Sequence, residues 1–300
     1  MKFRAAFFAL VLLAAPAQAE TIEEALALFD DKNYAEARPI AESLGATEPR
    51  AMVMLGTMYR QGLGVEMSVA TAKTWFAQAA AAGEVSAMMA YAELLLDENA
   101  GNTDPAAAAH WLEKAASGGN AKAQFNLALI YAGQYGEKAN LPKAFEWFKK
   151  AAEKGLTEAQ YNLGLLYLEG NGTEKNAVAA ADMLAKAAVK GMPEAALEYG
   201  VLILRGEGVE RNVEIGIKWL RFAAEHGNPV AQNRLARLYA SGTGIAVNPV
   251  EAATWNLLAA KGGRPDPTLD QLMKSLTTEQ RSLAEANAKV FVAKIANVKD

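Results

Sequence analysis

The chain has 300 residues, of which 52% are hydrophobic and 21% charged, a composition typical of a folded globular protein. Its 30 basic and 34 acidic residues give a net charge of −4, which argues against a broad nucleic-acid or anionic-membrane surface, because both require a basic excess. The lack of cysteine excludes disulfides, thiolate metal sites and cysteine nucleophiles, and only two histidines are present for metal or general-base chemistry.

The first 19 residues have the pattern of a secretory signal peptide. Two basic residues precede an apolar run at 7–15, and Ala17-Gln18-Ala19 forms an A-x-A cleavage site. The run is too short to cross a bilayer as a helix. We therefore expect cleavage after Ala19, a periplasmic or secreted mature chain that begins at Glu20, and no membrane insertion after cleavage. The alternative is an uncleaved N-terminal anchor.

Residues 20–50 are predicted to form a short helix pair. The segment Ile22 to Leu44 carries two apolar stretches, and the residues from Phe29 to Tyr34 separate them as an inter-helix turn. In this arrangement the segment resembles a tetratricopeptide-type pair.

From residue 51 to about 266 the sequence repeats every 36 residues. All five tryptophans lie on this lattice, and Met183 occupies the remaining node. The tryptophans are Trp75, Trp111, Trp147, Trp219 and Trp255. A glycine column follows the same period at Gly83, Gly119, Gly155, Gly191, Gly227 and Gly263. The coincidence predicts six tandem repeats without insertion or deletion.

Each repeat is predicted to contain two helices. The first has apolar residues at helical spacing, as at Ala159, Leu163 and Leu166, and ends at glycines. The second begins at a preferred N-cap residue in every repeat. These residues are Ser68, Asp104, Asn140, Asn176, Asn212 and Asn248. Because one helix pair cannot bury its own apolar faces, the pairs must stack, and the predicted fold is an all-α, right-handed α/α superhelical solenoid.

The repeat motif resembles that of a known family. In the first copy it reads Leu55-Gly56-x-x-Tyr59-x-x-Gly62-x-Gly64-Val65, then Trp75 and Ala79-Ala80-x-x-Gly83. This pattern resembles the Sel1-like repeat, a relative of the tetratricopeptide repeat. The resemblance implies a protein-interaction scaffold. Secreted bacterial members of the family include periplasmic regulators that bind sensor kinases, cysteine-rich proteins linked to β-lactam binding, and proteins that bind host factors.

Two repeats depart from the motif at the loop between their helices. Glu98 and Ala100 replace the loop glycines of repeat two, and Gln134 replaces the first loop glycine of repeat three. Both repeats keep the 36-residue length, so we expect altered loops in an unbroken stack. Residues 267–300 are predicted to form a helical cap of two helices, the second beginning at Thr277 or Thr278.

The sequence carries no recognisable catalytic, cofactor or metal motif. It contains no G-x-x-x-x-G-K, H-E-x-x-H, G-x-S-x-G or Ser-x-x-Lys pattern. His110 lies in a column of polar residues on a second helix, and His226 lies in the last turn of another, where its charge would complement the helix dipole. We predict no catalytic residues, no cofactor and no metal.

The candidate binding residues lie on the first helices, which line the concave side in tetratricopeptide-type stacks. Positions 54, 57 and 61 of the first repeat and their equivalents share one helix face. The selected residues are Asn126, Asn162, Glu198, Arg234, Leu129, Leu165, Val201, Glu169 and Arg205. Apolar anchors flanked by side-chain amides suit an extended peptide. The alternative is that the apolar residues pack inside and the asparagines brace their own backbone.

We therefore predict a non-catalytic scaffold or adaptor in the bacterial periplasm. Its partner would be a protein or peptide, such as a sensor-kinase ectodomain or an envelope complex, and not a nucleic acid. Two alternatives stay open: an envelope hydrolase acting on β-lactam or peptidoglycan, and a released factor that binds a host protein.

Overall fold

The computed structural model describes residues 21–101 and 103–297. The predicted signal peptide at 1–19 lies outside these residues. Within them the chain forms sixteen α-helices, one 3-10 helix and no strand, so the all-α prediction is confirmed. No helix in this part of the chain is both long and apolar enough to cross a bilayer.

The helices alternate along the chain with short turns. Their bounds are α1 Ile22–Asp30, α2 Tyr34–Leu44, α3 Pro49–Gln61, α4 Val69–Ala81, α5 Val85–Leu96, α6 Pro105–Ser117, α7 Ala121–Tyr131, α8 Leu141–Glu153, α9 Thr157–Glu169, α10 Ala177–Val189, α11 Pro193–Arg205, α12 Val213–Glu225, α13 Pro229–Ser241, α14 Pro249–Lys261, α15 Pro267–Ser275 and α16 Thr278–Asn297. Odd-numbered α3 to α13 are the first helices of the six repeats, and even-numbered α4 to α14 are the second helices.

The helices form two compact units, divided after Trp111 within α6. In the first unit, each helix from α1 to α5 packs against the next along the chain. In the second unit the same is true from α7 to α14, and α14 also contacts α15 and α16. Neighbour-to-neighbour packing is the arrangement of a solenoid, in which each helix pair buries its apolar side against the next.

The predicted N-cap residues begin the second helices as expected. In every repeat the cap side chain accepts a hydrogen bond from the backbone N–H three residues later, which satisfies a donor that the helix leaves open. The acceptors are Ser68 (3.3 Å), Asp104 (2.9 Å), Asn140 (3.2 Å), Asn176 (3.0 Å), Asn212 (3.0 Å) and Asn248 (3.1 Å). Each cap contributes about 1 kcal/mol to helix stability.

The glycine column ends the second helices because the chain turns there through left-handed backbone. Its six glycines have φ between +80° and +95°. A further glycine, Gly208, joins neighbouring repeats. Its φ is +70°, and a Cβ there would lie 2.0 Å from the carbonyl oxygen of Ala177 at the start of α10. Only a residue without a side chain fits this close approach.

The two atypical loops differ in conformation from those of the other repeats. In repeat two, α5 ends at Leu96 and a 3-10 helix follows at Glu98–Ala100. In repeat three, α7 ends at Tyr131, and Gly133 takes the left-handed conformation instead of position 134. The altered loops agree with the expectation from the sequence.

The C-terminal segment contains the two helices expected from the sequence, and Thr277 is the cap of the second. The Thr277 hydroxyl accepts from the N–H of Gln280 (3.2 Å), and the Gln280 side chain accepts from the N–H of Thr277 (3.0 Å). This reciprocal pair is a capping box. Because α16 packs on α14, Thr254 is fully buried there, whereas the equivalent residues of the other repeats are exposed.

Candidate protein-binding face

The first-helix face of the second unit consists of the sides of α7, α9, α11 and α13 that carry the predicted binding residues. Its residues recur at a spacing of three and four along each helix, so they lie on one side. Each helix contributes a polar residue one turn before an apolar or basic residue. In α7 these are Asn126 and Leu129, and in α9 they are Asn162 and Leu165.

The two asparagines are half-buried and keep unused hydrogen-bonding capacity. Asn126 makes no side-chain hydrogen bond within 21–101 and 103–297. The amide of Asn162 donates to the carbonyl oxygen of Glu158 one turn earlier (2.8 Å), so this side chain braces its own helix in part. Its Oδ1 accepts no bond from the described residues. Both amides can therefore still bind a peptide backbone.

The apolar strip is shorter than predicted. Leu129 and Leu165 are half-buried, and Leu129 packs against the core cluster that contains Leu163. Val201 is only 7% exposed and belongs to the core of α11, so the prediction of an exposed anchor there is wrong. The strip therefore contains two leucines, on adjacent repeats.

The charged residues predicted for the face flank this strip. Glu169 and Arg205 are exposed at the ends of α9 and α11. Glu169 accepts a hydrogen bond from the side chain of Asn171, and Arg205 lies 4.0 Å from the carboxylate of Glu207. Arg234 is half-buried, and its Nε has no partner among the described residues. Glu169 and Arg205 are exposed, and the Arg205 contact is long, so their charges are available to a partner, whereas the Nε of Arg234 is buried.

Tyr161 is a member of this face that the sequence analysis missed. It is half-buried on α9, and burial raises the pKa of its hydroxyl, as do the carboxylates of Glu198 and Glu194 on the next first helix. Glu198 therefore lies within electrostatic range of Tyr161. An aromatic residue at the equivalent place in α7, Phe125, is the signal that could have indicated this column.

Asp266 closes the repeat-six end of the first-helix face, because it binds two side chains of α13 that a partner could otherwise contact. This residue caps α15, is 3% exposed, and accepts hydrogen bonds from Asn233 (2.9 Å) and Arg237 (2.8 Å) on α13. Burial opposes ionisation of Asp266, but these bonds, the N–H of Leu269 and the charge of Arg237 outweigh it. The pKa of the carboxyl is therefore held below its usual value. Arg237 is already used here, unlike its neighbour Arg234.

The first unit has a cavity on the corresponding side of its own first helices. It has a volume of about 330 Å³ and is lined by residues of α1, α3 and α5. Met54 and Thr57, the first-repeat members of the predicted columns, are among its lining residues. The same helix positions thus border open space in this unit as well.

Both histidines are exposed: His110 lies on α6, and His226 is the C-cap residue that directly follows the last turn of α12. His110 packs edge-on against Trp111, with ring centroids 5.5 Å apart, and Nδ1 of His226 lies 2.7 Å from the carbonyl oxygen of Phe222. Within the described part of the chain, no group of three acidic or histidine residues is placed to hold a metal ion. The arrangement on the first-helix face is suited to binding a polypeptide.

Comparison with known proteins agrees with this architecture. The sequence profile of the Sel1 repeat matches residues 49–84, 85–120, 121–156, 157–191, 193–228 and 229–263. The chain is similar in structure to a protective antigen of uropathogenic Escherichia coli strains that displays an SLR fold, with 29% identity and a TM-score of 0.77. The match covers 89% of this chain and 57% of the E. coli chain. This protein thus spans a little over half the length of that relative.

A Sel1 repeat protein from Oxalobacter formigenes is also similar, with 26% identity and a TM-score of 0.68. That match covers 81% of this chain and 97% of the other. The C-terminal part of a TPR repeat-containing protein of Cytophaga hutchinsonii shares the fold at 14% identity, with a TM-score of 0.53 over 85% of this chain and 99% of the other. No functionally curated protein matches the sequence. With six matched copies across most of its length, the chain belongs to the Sel1 repeat family.

Proposed function

We propose that this protein is a non-catalytic adaptor outside the cytoplasm, which captures a partner protein on the first-helix face of its second unit. Sel1 repeat folds are typical protein-interaction scaffolds. The proposal assigns the contact to α7 and α9, with Leu129 and Leu165 as anchors and Asn126 and Asn162 as backbone-binding amides.

One observation carries this assignment. On adjacent repeats, a half-buried leucine lies one turn after an asparagine whose amide is wholly or partly unbonded. An extended segment of a partner presents alternating side chains and backbone groups, so it can bury an apolar side chain against each leucine while its backbone bonds to the amides. Glu198 on the next first helix borders the strip, and Arg234 lies one first helix further along the same face, so this face favours a partner segment with charges of both signs.

The expected location rests on the N-terminal sequence. A basic start, a short apolar run and an A-x-A site support export and cleavage after Ala19. In an envelope compartment, a sensor-kinase ectodomain or an envelope complex is the class of partner that we propose. Cell fractionation followed by mass measurement of the intact protein tests the location: a periplasmic chain that begins at Glu20 supports it, and a cytoplasmic chain that retains Met1 contradicts it.

The binding assignment is tested by capture in the native envelope. The tagged protein is cross-linked briefly, and the captured proteins are identified and quantified. We expect one stoichiometric partner, and we expect the double variant Asn126→Ala/Asn162→Ala to lose it. Both side chains are half-buried and lie away from the core. The free energy of unfolding of the variant should therefore stay within about 0.5 kcal/mol of that of the unchanged protein.

A matched pair of charge substitutions provides the control. Leu165→Asp places a carboxylate on the first-helix face, whereas Val189→Asp places one at a 74% exposed position at the end of α10 in the same repeat. We expect capture to be lost only in the first. Equal capture by Leu165→Asp, by the double asparagine variant and by the unchanged protein would refute the proposed face.

A further inference from the structure

The 36-residue column of tryptophans lacks a tryptophan in repeat four, and a groove lies beside that position. In repeat four the node is held by Met183 on α10. A groove of about 430 Å³ lies between α8 and α10, with α9 as its floor. Its apolar lining includes Leu163, Tyr167 and Met183. This groove is on the second-helix side, apart from the face proposed above.

Repeat five shows how the same positions are filled when the tryptophan is present. The equivalents in repeats four and five are Ala179 and Ile215, Met183 and Trp219, Lys186 and Phe222, and Leu163 and Tyr199. In repeat five the rings form a cluster, with centroids 5.8 Å apart for Tyr199 and Trp219 and 6.1 Å apart for Trp219 and Phe222. Repeat four has an aliphatic, a thioether and a lysine side chain instead of these three rings.

The chemistry of the groove favours an aromatic occupant. Tyr167, which packs edge-on against Phe145 at 5.3 Å, presents a ring to the groove, and ring pairs attract each other beyond simple burial. The Met183 thioether also makes favourable contacts with aromatic rings. A repeat of the same length accommodates an aromatic cluster at these positions in repeat five, so the helix spacing fits a ring.

The rim of the groove carries balanced charge. Lys149, Glu153, Asp182 and Lys186 surround the opening, and Asp182 and Lys186 form an ion pair of 2.7 Å. Two cations and two anions leave no net charge, so the rim selects a neutral ring while it can still bond to the peptide groups on either side of it.

We propose that this groove binds an aromatic side chain, preferably tryptophan, presented by a partner protein. The incoming ring takes the place that an intramolecular tryptophan takes in the other repeats. Leu163 and Tyr167 of the groove lie on the other side of α9 from Leu165, so the protein has two separate polypeptide contacts at repeat four.

The test uses N-acetyl-L-tryptophanamide, a tryptophan side chain between two peptide groups, titrated into the purified protein by calorimetry. N-acetyl-L-leucinamide and free tryptophan are titrated in parallel. We expect saturable binding of the tryptophanamide and binding of the leucinamide that is at least about tenfold weaker, because the leucine side chain cannot pair with Tyr167. No binding, or equal binding of both amides, overturns the proposal. If free tryptophan binds more strongly than the tryptophanamide, the groove binds a metabolite and the proposed binding of a partner's side chain is refuted.

Variants locate the binding. Met183→Trp and Ala179→Ile restore the repeat-five residues from two sides of the groove, and each should weaken tryptophanamide binding by about tenfold or more. With two variants, the test still holds if one of them does not fold, and circular dichroism shows which of them are folded. Val189→Ala, an exposed apolar residue on α10 outside the groove, should bind as the unchanged protein does. Undiminished binding by both groove variants contradicts the assignment.

Discussion

Repeats four and five occupy neighbouring places in the second unit and share one backbone plan. Both second helices begin at an asparagine cap with a 3.0 Å bond, and both repeats end at a left-handed glycine. The two repeats differ in the side chains on their first-helix face and in those on their second-helix side. Repeat four has a half-buried Leu165 on its first helix and a groove beside Met183, whereas repeat five has a buried Val201 and an aromatic cluster.

The difference shows that two sets of residues have separate roles. The lattice residues, such as the caps Asn176 and Asn212, determine where each helix begins and ends. The residues between them determine how far a repeat is filled by its own side chains. Repeat four is the open copy: the proposed groove lies beside it, and the proposed first-helix contact extends over repeats three and four.

The largest expected effect comes from emptying the filled repeat. Trp219→Ala should lower the free energy of unfolding by about 3 kcal/mol, because it removes the central ring of the cluster and leaves a cavity. Met183→Ala, at the equivalent position, should cost less than a closed core site, about 1 kcal/mol, because that side chain already borders open space. Urea denaturation followed by circular dichroism measures both. Equal losses would show that the two repeats are filled alike.

The closed end of the first-helix face allows a second comparison with the open repeat four. Asp266→Asn should destabilise the protein by about 2 kcal/mol near neutral pH, because it removes the buried charge that Arg237 and Asn233 satisfy. The folded pKa of Asp266 is lowered, so its contribution is complete above the unfolded pKa of about 3.9 and is lost as pH falls through the folded value.

Denaturation midpoints measured across the acidic range test this prediction. The difference between the variant and the unchanged protein should shrink as the pH falls. Glu207→Gln, which alters the loose 4.0 Å contact to Arg205, should change stability by less than about 0.5 kcal/mol. A loss for Asp266→Asn that is independent of pH would contradict the assigned ion pair.

Filling the open repeat should stabilise it. Met183→Trp gives repeat four the residue of the other five copies, and we expect a gain of about 1 kcal/mol in the free energy of unfolding. Trp219→Met makes the reverse exchange and should destabilise repeat five. If both exchanges destabilise equally, the groove is too narrow for a ring and the vacancy is only apparent.

A smaller difference concerns the position just before the terminal glycine of each repeat. In repeat four Lys190 donates from Nζ to the carbonyl oxygen of Gly155, one repeat earlier, whereas in repeat five Nδ1 of His226 contacts the carbonyl oxygen of Phe222 in the preceding helix. Lys190→Met should cost about 0.5 kcal/mol, since it removes an exposed charge-assisted bond between repeats. Lys218→Met, which removes an exposed pair within α12, serves as the reference and should cost less.

The smallest expected effect is a change in the pKa of Tyr161 in repeat four that is caused by carboxylates of repeat five. The pKa of Tyr161 is raised by burial and by Glu198 and Glu194 of repeat five, so Glu198→Gln should lower it. A group with a raised folded pKa stabilises the fold below its unfolded pKa and loses that contribution as pH rises through the folded value. NMR of ring-labelled tyrosine measures the shift. An unchanged Tyr161 titration would show that Glu198 points away from it.

The sequence predicted the backbone plan well because the plan depends on local chemistry. A cap such as Asn176 and a left-handed glycine such as Gly191 act within a few residues, so the 36-residue period located them directly. The binding face was predicted only in part. Whether Val201 reaches the surface depends on how the neighbouring helices pack over α11, which helical spacing does not reveal.

The groove was visible in the sequence only as a missing tryptophan. Its opening depends on three positions together, Ala179, Met183 and Lys186, whose equivalents are large or aromatic in repeat five. A single periodic column cannot show such a combination. Tyr161 was missed for a similar reason, because its environment is created by carboxylates 33 and 37 residues later on the next first helix.

The central claim is that the first-helix face of repeats three and four captures a partner. It is tested most directly by a photo-cross-linking amino acid placed at position 165 or at position 189 of the protein in its native cells. We predict that the photo-cross-linker in place of Leu165 yields one discrete cross-linked partner on illumination. The same group in place of Val189 should yield none. Cross-links from position 189 alone, or none from either position, would contradict the claim.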